Sequence, residues 1–433
     1  MSKAEELFNF SEYTDPCIKC GKCIPVCTIH NVNADEVTSP RGFLDLLGAY
    51  HKGDLELDKT AKDIFESCFL CTNCVDVCPK SLPTDMVIEQ VRADIAKKYG
   101  IAWYKKAFFL LLRHRWLNDL AFKFGWVFQT CGFKLKKDIF SMTPKFELPM
   151  VKTSRLLPSL AARSFLNSHK ENINNGGKRK VAIFIGCLGN YNYRSIGESL
   201  LEILEVLEID AFLAKGQKCC GAPAYFTGDF DTVEHNAKHN IEYFEKIFAK
   251  HEDLEAIIVP EATCSAMLKV DYEHFFHDDK EWRERAVALK DKIFMATEWL
   301  EQKTNLKEIL AQKGKSDLSV TYHDPCHARK MQGIYEEPRE LIAQNYEIKE
   351  MSDPNRCCGF GGVTMQSEKY HFAEAAGKPK AAMIKQSGAE IVSAECSACR
   401  MQINNSMHNN GVEDVIFKNP IELIAEALRE ENA

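Results

Sequence analysis

Residues 17–27 read CIKCGKCIPVC and residues 68–79 read CFLCTNCVDVCP. Each stretch spaces four cysteines as C-x₂-C-x₂-C-x₃-C. Three thiolates in quick succession bind three corners of an iron–sulfur cubane, and the fourth cysteine of each run ligates the cluster of the other run. The sequence therefore predicts two 4Fe–4S clusters. The first set of ligands is Cys17, Cys20, Cys23 and Cys78, and the second is Cys68, Cys71, Cys74 and Cys27.

Zinc is the alternative occupant of these runs. Zinc sites use four ligands that often come as two separated C-x₂-C pairs, and these runs match that pattern poorly. Pro79 follows the second run as the bacterial cluster pattern has it, whereas Thr28 takes that place after the first run. This departure affects the direction of the chain and leaves the ligands unchanged. Helical patterns such as residues 41–50 lie between the runs, so we expect an α-helical ferredoxin-type domain over residues 1–95.

The bulk composition indicates a cytoplasmic protein of several domains. The chain has 433 residues, 45% of them apolar and 27% charged, and its net charge of −7 gives no basic footprint for nucleic acid. The first residues lack the apolar core of a signal peptide, and the longest apolar run, residues 107–112, is too short to span a membrane. Cytoplasmic thiols stay reduced, so the 18 cysteines favour metal ligation over disulfides.

The rest of the chain, residues 178–433, has the pattern of an internal duplication. Each copy has a lone cysteine, then Cys-Cys-Gly, then a further cysteine, and short apolar runs rich in β-branched residues end at the lone cysteines. These runs predict buried strands, and the helical patterns between them predict two α/β units, 178–315 and 316–433. The cysteines fall at the carboxyl ends of the strands, where such folds bind ligands. The runs are 180–187, 256–264, 319–326 and 389–396.

The repeated Cys-Cys-Gly motif resembles the cysteine-rich domain found in heterodisulfide reductases. With the ferredoxin part, nearly the whole chain resembles the iron–sulfur subunits of membrane-associated flavin dehydrogenases. These are the glycolate oxidase iron–sulfur subunit, its lactate-utilisation counterpart and the iron–sulfur subunit of anaerobic glycerol-3-phosphate dehydrogenase. The resemblance is carried by GCLGNYN at 186–192, KCCGAP at 218–223, YHDPCH at 322–327, RCCGFGG at 356–362 and ECSACRMQI at 395–403.

In the heterodisulfide reductase relatives, each full repeat holds a non-cubane cluster with five cysteines. The resemblance therefore implies an additional, non-cubane iron–sulfur cluster in the second repeat, with Cys326, Cys357, Cys358, Cys396 and Cys399 as its ligands. The first repeat has only four cysteines, and Met267 stands where we expect the fifth ligand. A four-ligand cluster, a zinc ion and an empty structural relic remain open for its set, which is Cys187, Cys219, Cys220 and Cys264.

Several other residues have plainer interpretations. Cys131 has no cysteine neighbour and is expected to be a small buried hydrophobe. His323 and His327 flank Cys326, where they either hydrogen-bond cluster sulfur and relay a proton or shape the loop. Asp324 precedes a proline and is typical of a turn. No nucleotide-binding glycine fingerprint stands out, so we expect neither flavin nor NAD on this chain.

The middle segment, residues 96–177, is aromatic and basic and ends in a polar linker at 167–180. Asp119 is the only acid between 96 and 137, against ten Lys and Arg residues that include Lys137. This pattern predicts an amphipathic helix on an anionic membrane surface. A docking surface for another subunit and a core helix are the alternatives. The apolar residues at helical spacing are Phe109, Leu112, Trp116, Leu120, Phe124 and Val127, bracketed by Trp103 and Trp126.

The resemblance implies an electron-transfer role. Electrons would enter from a separate FAD-dependent dehydrogenase that oxidises glycolate, D-lactate or glycerol 3-phosphate, and pass toward the quinone pool. The expected location is peripheral, on the inner face of the cytoplasmic membrane. The alternative is a heterodisulfide or disulfide reductase in which the cluster of the second repeat cleaves a disulfide. A third interpretation is a scaffold whose metals only hold the fold.

Overall fold

The computed structural model describes residues 8–136, 139–147, 151–361 and 369–429. Residues 1–7, Lys137 and Gly362, which the sequence analysis used, lie outside the described residues. The chain forms two compact units that do not follow chain order. The first unit comprises residues up to 106, 223–231 and 359–376, and the second comprises 107–222, 232–358 and the chain from 377 onward.

The N-terminal part of the first unit is helical, and its described residues up to 106 contain no strand. The longer helices begin and end at residues suited to these positions: the Ser39 hydroxyl accepts a hydrogen bond from Gly42 N at 3.0 Å at the start of α3, and Gly53 ends it in a left-handed conformation. The α-helical ferredoxin-type fold is confirmed. Its helices are α1 Phe10–Thr14, α2 His30–Asn33, α3 Pro40–Lys52, α4 Lys59–Phe65, α5 Asn73–Asp76 and α6 Thr84–Tyr99, with a 3-10 turn at Glu36–Thr38.

The middle segment contains two helices and a small sheet. Helix α7 spans Trp103–Arg113 and α8 spans Arg115–Gly132, and the three strands that follow form an antiparallel sheet in the order β1-β2-β3. The predicted linker at 167–180 contains a strand, β4, which pairs antiparallel with the edge of the next sheet. The remaining elements are β1 Phe133–Lys136, β2 Ser141–Pro144, β3 Leu157–Pro158, α9 Phe165–Ser168 and β4 Asn172–Ile173.

The first repeat is a five-stranded sheet in the order β4-β6-β5-β7-β8, parallel except for β4. Its strands are β5 Arg179–Ile183, β6 Ile209–Leu213, β7 Leu254–Val259 and β8 Ile293–Met295. Its helices are α10 Cys187–Tyr191, α11 Arg194–Val206, α12 Ala222–Tyr225, α13 Phe230–Lys250, α14 Ala262–Ala266, α15 Tyr272–Phe275, α16 Lys280–Lys290, α17 Ala296–Lys303 and α18 Leu306–Ala311, with a π-helical turn at Met267–Asp271 between α14 and α15.

The second repeat is a four-stranded parallel sheet in the order β10-β9-β11-β12. Its strands are β9 Ser319–Tyr322, β10 Glu347–Ile348, β11 Ile391–Ser393 and β12 Ile416–Lys418. Its helices are α19 Cys326–Gln332, α20 Glu337–Ile342, α21 Tyr370–Ser387, α22 Ser397–Asn409 and α23 Pro420–Arg429. The four predicted buried runs are strands β5, β7, β9 and β11, so the α/β fold of the C-terminal half is confirmed.

One apolar core lies within both repeats. Ile183 and Ile258 from the first sheet and Val320 and Ile391 from the second belong to the same buried cluster, and none of the four is exposed. Burying a side chain of this kind stabilises a fold by roughly 1.5–3 kcal/mol. The shared core holds the two repeats in one body. Among the residues described, every helix is too short or too polar to cross a lipid bilayer.

Candidate metal centres

Both N-terminal cysteine runs bend around their second cysteine in the same way. Lys19 and Gly21, on either side of Cys20, have φ of 55° and 75°, and Leu70 and Thr72, on either side of the second cysteine of the other run, have φ of 51° and 55°. Left-handed residues turn the chain sharply. The alternation of left-handed and ordinary residues lets three cysteines of one run face one point.

The cysteines of the two runs line two cavities. The first cavity is lined by Cys17, Cys20, Cys23 and Cys78, and the second by Cys27, Cys68 and Cys71, while Cys74 borders both. The fourth cysteine of each run therefore lies with the first three of the other. The structure brings together the two predicted ligand sets, and their binding of iron stays a prediction.

The chemistry of these thiols fits a metal. Burial raises the pKa of the Cys68 thiol to about 12, and it also raises the pKa of Cys27 and Cys74. A buried thiolate is stable only beside a compensating cation, and bound iron supplies that charge. The buried guanidinium of Arg92 fixes the loop of the second run, because it donates to the carbonyl oxygens of Cys68 at 2.7 Å and Phe65 at 3.0 Å.

The first repeat gathers its four cysteines at the carboxyl ends of its strands. Cys187 is the first residue of α10, and Cys220 Sγ lies 3.5 Å from Cys264 Sγ. Hydrogen bonds from Cys187 and Cys220 lower the pKa of Cys219. A side chain at Gly186 would place its Cβ 2.9 Å from Cys264 Sγ, so glycine is needed where the chain passes the thiols. We name Cys187, Cys219, Cys220 and Cys264 the first thiol group.

Backbone register identifies the residue that replaces the fifth cysteine in the first repeat. Ile183 of β5 pairs with Ile258 of β7, and Tyr322 of β9 pairs with Ser393 of β11. Cys187 follows Ile183 by four residues, and Cys326 follows Tyr322 by four. On the paired strands, Glu261 follows Ile258 by three residues, and Cys396 follows Ser393 by three. Glu261 and Cys396 are each the N-cap of the helix that follows.

Glu261 is therefore the counterpart of Cys396 and Cys264 that of Cys399, so Met267 does not stand in the place of the fifth cysteine. The Glu261 carboxylate faces the second repeat, where it accepts hydrogen bonds from Ser397 N at 2.7 Å and from the Ser397 hydroxyl. Burial raises the pKa of Glu261 to about 7. A sequence signal for it existed: Glu261 precedes Cys264 by three residues, as Cys396 precedes Cys399.

The second repeat buries all five of its cysteines. Cys358 Sγ lies 3.6 Å from Cys399 Sγ, and Cys399 N donates to Cys396 Sγ at 3.5 Å. Cys326 begins α19, and Lys330 on the next turn donates to Cys326 Sγ at 3.6 Å. We name Cys326, Cys357, Cys358, Cys396 and Cys399 the second thiol group.

A buried lysine shows that the second thiol group fits an anionic cluster. Lys380 has no exposed surface, and its ammonium donates to the carbonyl oxygens of Asp353 at 2.8 Å and Pro354 at 3.3 Å and to the sulfur of Met351 at 3.5 Å. Burial lowers the pKa of Lys380 to about 8. All three hydrogen-bond acceptors are neutral, and the charges that act to raise the pKa of the ammonium belong to Asp353 first and then to Cys358, Cys357 and Cys326. A buried ammonium is stable when anions balance it, and thiolates around iron and sulfide would add their charge to that of Asp353.

Both histidines beside Cys326 lie near the second thiol group. His323 is fully buried, and a ring nitrogen of His323 and the sulfurs of Cys358 and Cys399 lie within 4.8 Å of one another. The His327 Nδ1 lies 3.2 Å from the Thr263 hydroxyl. Burial lowers the pKa of His323, and it lowers that of His327 to about 4, so both rings are neutral at physiological pH.

Two plainer interpretations were wrong. Asp324 is a fully buried carboxylate that pairs with Arg339 at 2.6 Å and with Arg329, so it stabilises the loop before Cys326 by ion pairing. Cys131 is exposed rather than buried, because α8 exposes most of its length. Sequence spacing cannot reveal either fact, since both depend on which elements cover the residue.

The amphipathic segment leaves an apolar face exposed on α8. Trp116, Leu120, Phe124 and Val127 lie along one side of the helix, and each is 46–67% exposed. The other side is held by the first repeat: the Tyr191 hydroxyl donates to the Asp119 carboxylate at 2.7 Å, and the Tyr191 ring stacks on Phe122 at 4.2 Å. A core helix, one of the three alternatives, does not fit the exposures on α8, whereas Phe109 and Leu112 of the same predicted face lie on α7 and are buried.

Known protein families match both parts of the chain. The model of a 4Fe-4S dicluster domain matches residues 13–82, and the model of a cysteine-rich domain matches twice, over residues 181–269 and 320–404. One cysteine-rich match falls within each of the two structural repeats. The two matches include every residue of both thiol groups.

Similar proteins are found in bacteria and archaea. The chain is 27% identical to the probable glycolate oxidase iron–sulfur subunit of Bacillus subtilis, over 92% of this chain and 89% of that protein. It is 33% identical to lactate utilization protein A of an Exiguobacterium species, over 58% of this chain and 97% of that protein. It is 29% identical to one subunit of the CoM/CoB fumarate reductase of Methanothermobacter marburgensis, over 94% of this chain and 71% of that protein.

Proposed function

Because the chain belongs to the family of iron–sulfur electron-transfer subunits that join a 4Fe-4S dicluster domain to paired cysteine-rich domains, we propose that it serves a membrane-associated, FAD-dependent dehydrogenase. The partner oxidises a small hydroxy acid, glycolate or D-lactate, and the electrons pass along this chain toward the quinone pool. The observation that carries the proposal is the gathering of cysteines at four places within one chain, two cavities in the first unit and two thiol groups in the second.

The division of labour follows from cofactor chemistry. A flavin on the partner takes two electrons from the hydroxy acid, and iron–sulfur clusters pass electrons on. The residues of this chain set the potential of each cluster through burial, charge and hydrogen bonds to sulfur. Lys330 and Lys380 supply positive charge at the second thiol group. We therefore expect a cluster there to be reduced more readily than a cluster in the first repeat.

The substrate class rests on the named relatives. One is a glycolate oxidase subunit and another takes part in lactate utilisation, and both favour a small 2-hydroxy acid. The sequence also resembles the iron–sulfur subunit of anaerobic glycerol-3-phosphate dehydrogenase, so glycerol 3-phosphate is the third substrate to test. The chemistry that selects among the three belongs to the flavoprotein partner.

Reconstitution with the flavoprotein partner tests the function. The anaerobically purified chain is mixed with a candidate FAD-dependent dehydrogenase, and glycolate, D-lactate and glycerol 3-phosphate are added in turn. We expect one substrate to bleach the brown cluster absorbance and the bleached protein to reduce a soluble quinone. Fewer than about eight irons per chain, the content of two cubanes, would contradict the proposal.

Disulfide reduction is the second candidate, and the complete five-cysteine set of the second repeat favours it. The relative from Methanothermobacter marburgensis is named as part of a CoM/CoB fumarate reductase. The first repeat weighs against it, because Glu261 replaces a cysteine there and only one repeat has the full set. Oxidation of the reduced chain by the CoM–CoB heterodisulfide, with no response to quinone, would favour this candidate over the first.

We propose that the exposed apolar face of α8 rests on an anionic membrane, on the cytoplasmic side. The face combines Trp116 and Phe124, and the surrounding residues 96–137 hold ten lysines and arginines against one acid; α8 itself carries two of the ten, Arg115 and Lys123. Peripheral binding at this face would bring the chain to the quinone pool. Docking of another subunit on the same face is the competing outcome.

Vesicle flotation separates these two outcomes. The whole chain is mixed with vesicles of phosphatidylglycerol and phosphatidylcholine at low and high salt. We expect flotation at low salt, release at high salt, and at least tenfold weaker binding when Trp116 and Phe124 are both changed to glutamine. Leu318→Gln, at an exposed leucine of the second repeat, is the control and should float as before. Absence of flotation at low salt would remove the membrane role.

A further inference from the structure

A nitrogen donor lies among the sulfurs of the second thiol group. His323 follows the last residue of β9 directly and has no exposed surface. One of its ring nitrogens and the sulfurs of Cys358 and Cys399 lie within 4.8 Å of one another, in the described part of the chain. Three donors of this kind at such separations are close enough to share one metal centre.

The hydrogen bond on the other side of the ring decides which nitrogen faces the sulfurs. His323 Nδ1 lies 3.1 Å from the Pro354 carbonyl oxygen. A carbonyl oxygen only accepts hydrogen bonds, so Nδ1 carries the proton and Nε2 presents a lone pair. Nε2 is buried, and among the described residues it faces the sulfur of Cys358 and has no nitrogen or oxygen partner. A thiol is a weak hydrogen-bond donor, so a metal ion at that point satisfies the buried lone pair better than the Cys358 thiol does.

A lone pair on Nε2 favours a bond to iron over a hydrogen bond to sulfide. Sulfide and thiolate sulfurs accept hydrogen bonds, and an unprotonated nitrogen has none to give. Histidine ligands of metals usually donate their second N–H to a carbonyl or carboxylate, which fixes the ring and its tautomer. The Pro354 carbonyl has this role toward His323.

We propose that His323 Nε2 is an iron ligand of the cluster in the second repeat, beside the thiolates of the second thiol group. This rests on the proposed function, which places a cluster there. The first repeat offers no such atom. Ile183 and Tyr322 are equivalent in register, and Phe184 follows Ile183 as His323 follows Tyr322, so Phe184 is the counterpart of His323. Nitrogen ligation is therefore a property of one repeat, and it raises the potential of its cluster, as histidine ligands do in other iron–sulfur proteins.

Electron–nuclear double resonance on the whole chain tests the assignment. The protein is produced with ¹⁵N-labelled histidine and reduced until the cluster of the second repeat is paramagnetic. We expect a nitrogen coupling of the size of a directly bound imidazole, well above that of a hydrogen-bonded nitrogen. His323→Phe, which installs the residue of the first repeat, should abolish it. His327→Leu installs the first-repeat counterpart Leu188 on the other side of Cys326 and should leave it unchanged.

The outcomes are separable. A cluster in the second repeat of the wild-type chain with no strongly coupled nitrogen overturns the ligand assignment alone, as does a coupling that survives in His323→Phe. A wild-type chain with no iron in that repeat overturns the proposed cluster as well. If His323→Phe fails to load iron, His323→Cys decides: the thiolate should restore the cluster at a lower potential, and failure to restore it would contradict direct ligation.

Discussion

The two cysteine-rich repeats share a backbone plan and differ in what surrounds their thiols. In the first repeat, Phe184 and Ile185 precede the lone cysteine, and Tyr191 stands one turn after it. In the second repeat, the same positions hold His323, Asp324 and Lys330. At these positions the first thiol group has apolar and aromatic neighbours, and the second has a histidine, a lysine and a buried ion pair.

This difference shows that the position of the cysteines and the chemistry of the site are set by different residues. Strand ends place the cysteines, and both repeats keep that placement. Neighbouring residues then set charge, proton donors and ligand number, and the two repeats have diverged at those positions. A shared fold therefore does not give the two thiol groups the same role.

Loss of one cysteine should break the comparison most completely. In Cys358→Ser, the thiol that lies 3.6 Å from Cys399 is replaced by a poor iron ligand, so we expect loss of all iron from the second repeat. Cys220→Ser is the matched variant of the first repeat and should leave the second cluster in place. Iron content and Mössbauer spectra report both. A full iron content with an unchanged spectrum in Cys358→Ser would contradict ligation by this group.

Lys380→Met should act with opposite signs on the loaded and the iron-free protein. Without iron, burial lowers the pKa of Lys380 to about 8, from an ordinary value of 10.5. The folded state then binds fewer protons than the unfolded state between these values, so the free energy of unfolding rises with pH across this window. We expect Lys380→Met to remove that rise and to stabilise the iron-free protein at neutral pH by about 3 kcal/mol.

With iron bound, the same substitution removes a charge that balances an anion. We expect the potential of the cluster in the second repeat to fall, while that in the first repeat stays unchanged. Urea unfolding of both forms, from neutral pH to above the ordinary lysine pKa of 10.5, measures the stability difference. Redox titration measures the potential. Destabilisation of the iron-free protein by Lys380→Met would show that the ammonium has an anionic partner other than the cluster.

Glu261→Cys should make the repeats more alike. It places a cysteine at the position that register makes equivalent to Cys396. We therefore expect the first repeat to bind iron and to show the spectrum of the second. It also removes the hydrogen bonds to Ser397, at a cost of roughly 1–3 kcal/mol. Glu261→Gln keeps an acceptor oxygen and should leave the iron unchanged. A first repeat unaltered in iron and spectrum in Glu261→Cys would argue against the register assignment.

The smallest effects are expected where the repeats agree. Register makes Glu255 the counterpart of Glu390. Glu255 contacts Arg179 at the start of β5, and Glu390 contacts Ser319 at the start of β9. Glu255 pairs with Arg179 at 2.7 Å, and we expect Glu255→Gln to cost less than about 1 kcal/mol in unfolding free energy because the pair is part-exposed. A larger loss would show that this ion pair helps to hold the sheet.

Glu390 accepts hydrogen bonds from the backbone N–H of Ser319 at 2.8 Å and from its hydroxyl, and these lower its pKa to about 2. The folded pKa lies below the ordinary value of 4.5, so this stabilisation is present above pH 4.5 and is lost as the pH falls toward 2. Glu390→Gln should flatten the acid limb of the stability profile by lowering stability at neutral pH, and should leave stability below pH 2 unchanged because the carboxyl is then protonated. An acid limb that is the same in Glu390→Gln as in the wild type would contradict the lowered pKa of Glu390.

Short-range spacing by itself determined much of this protein. Cysteines three residues apart, such as Cys17 and Cys20, are close enough along the chain to reach one centre, so spacing and the known cluster pattern were enough to group the cysteines of the ferredoxin-type domain. Apolar runs that end at Cys187 and Cys326 likewise predicted the strands and the carboxyl-end placement of the thiols. These features depend on neighbours along the chain.

Tertiary structure alone decided the surroundings of the thiols. Glu261 is not a cysteine, so the spacing of cysteines alone passed over it, and pairing across the sheets identified it as the residue in place of Cys396. The burial of Lys380, the bond of His323 to Pro354 and the exposure of Cys131 follow from elements distant in sequence. Burial and hydrogen bonding depend on what packs against a residue, and sequence spacing does not record it.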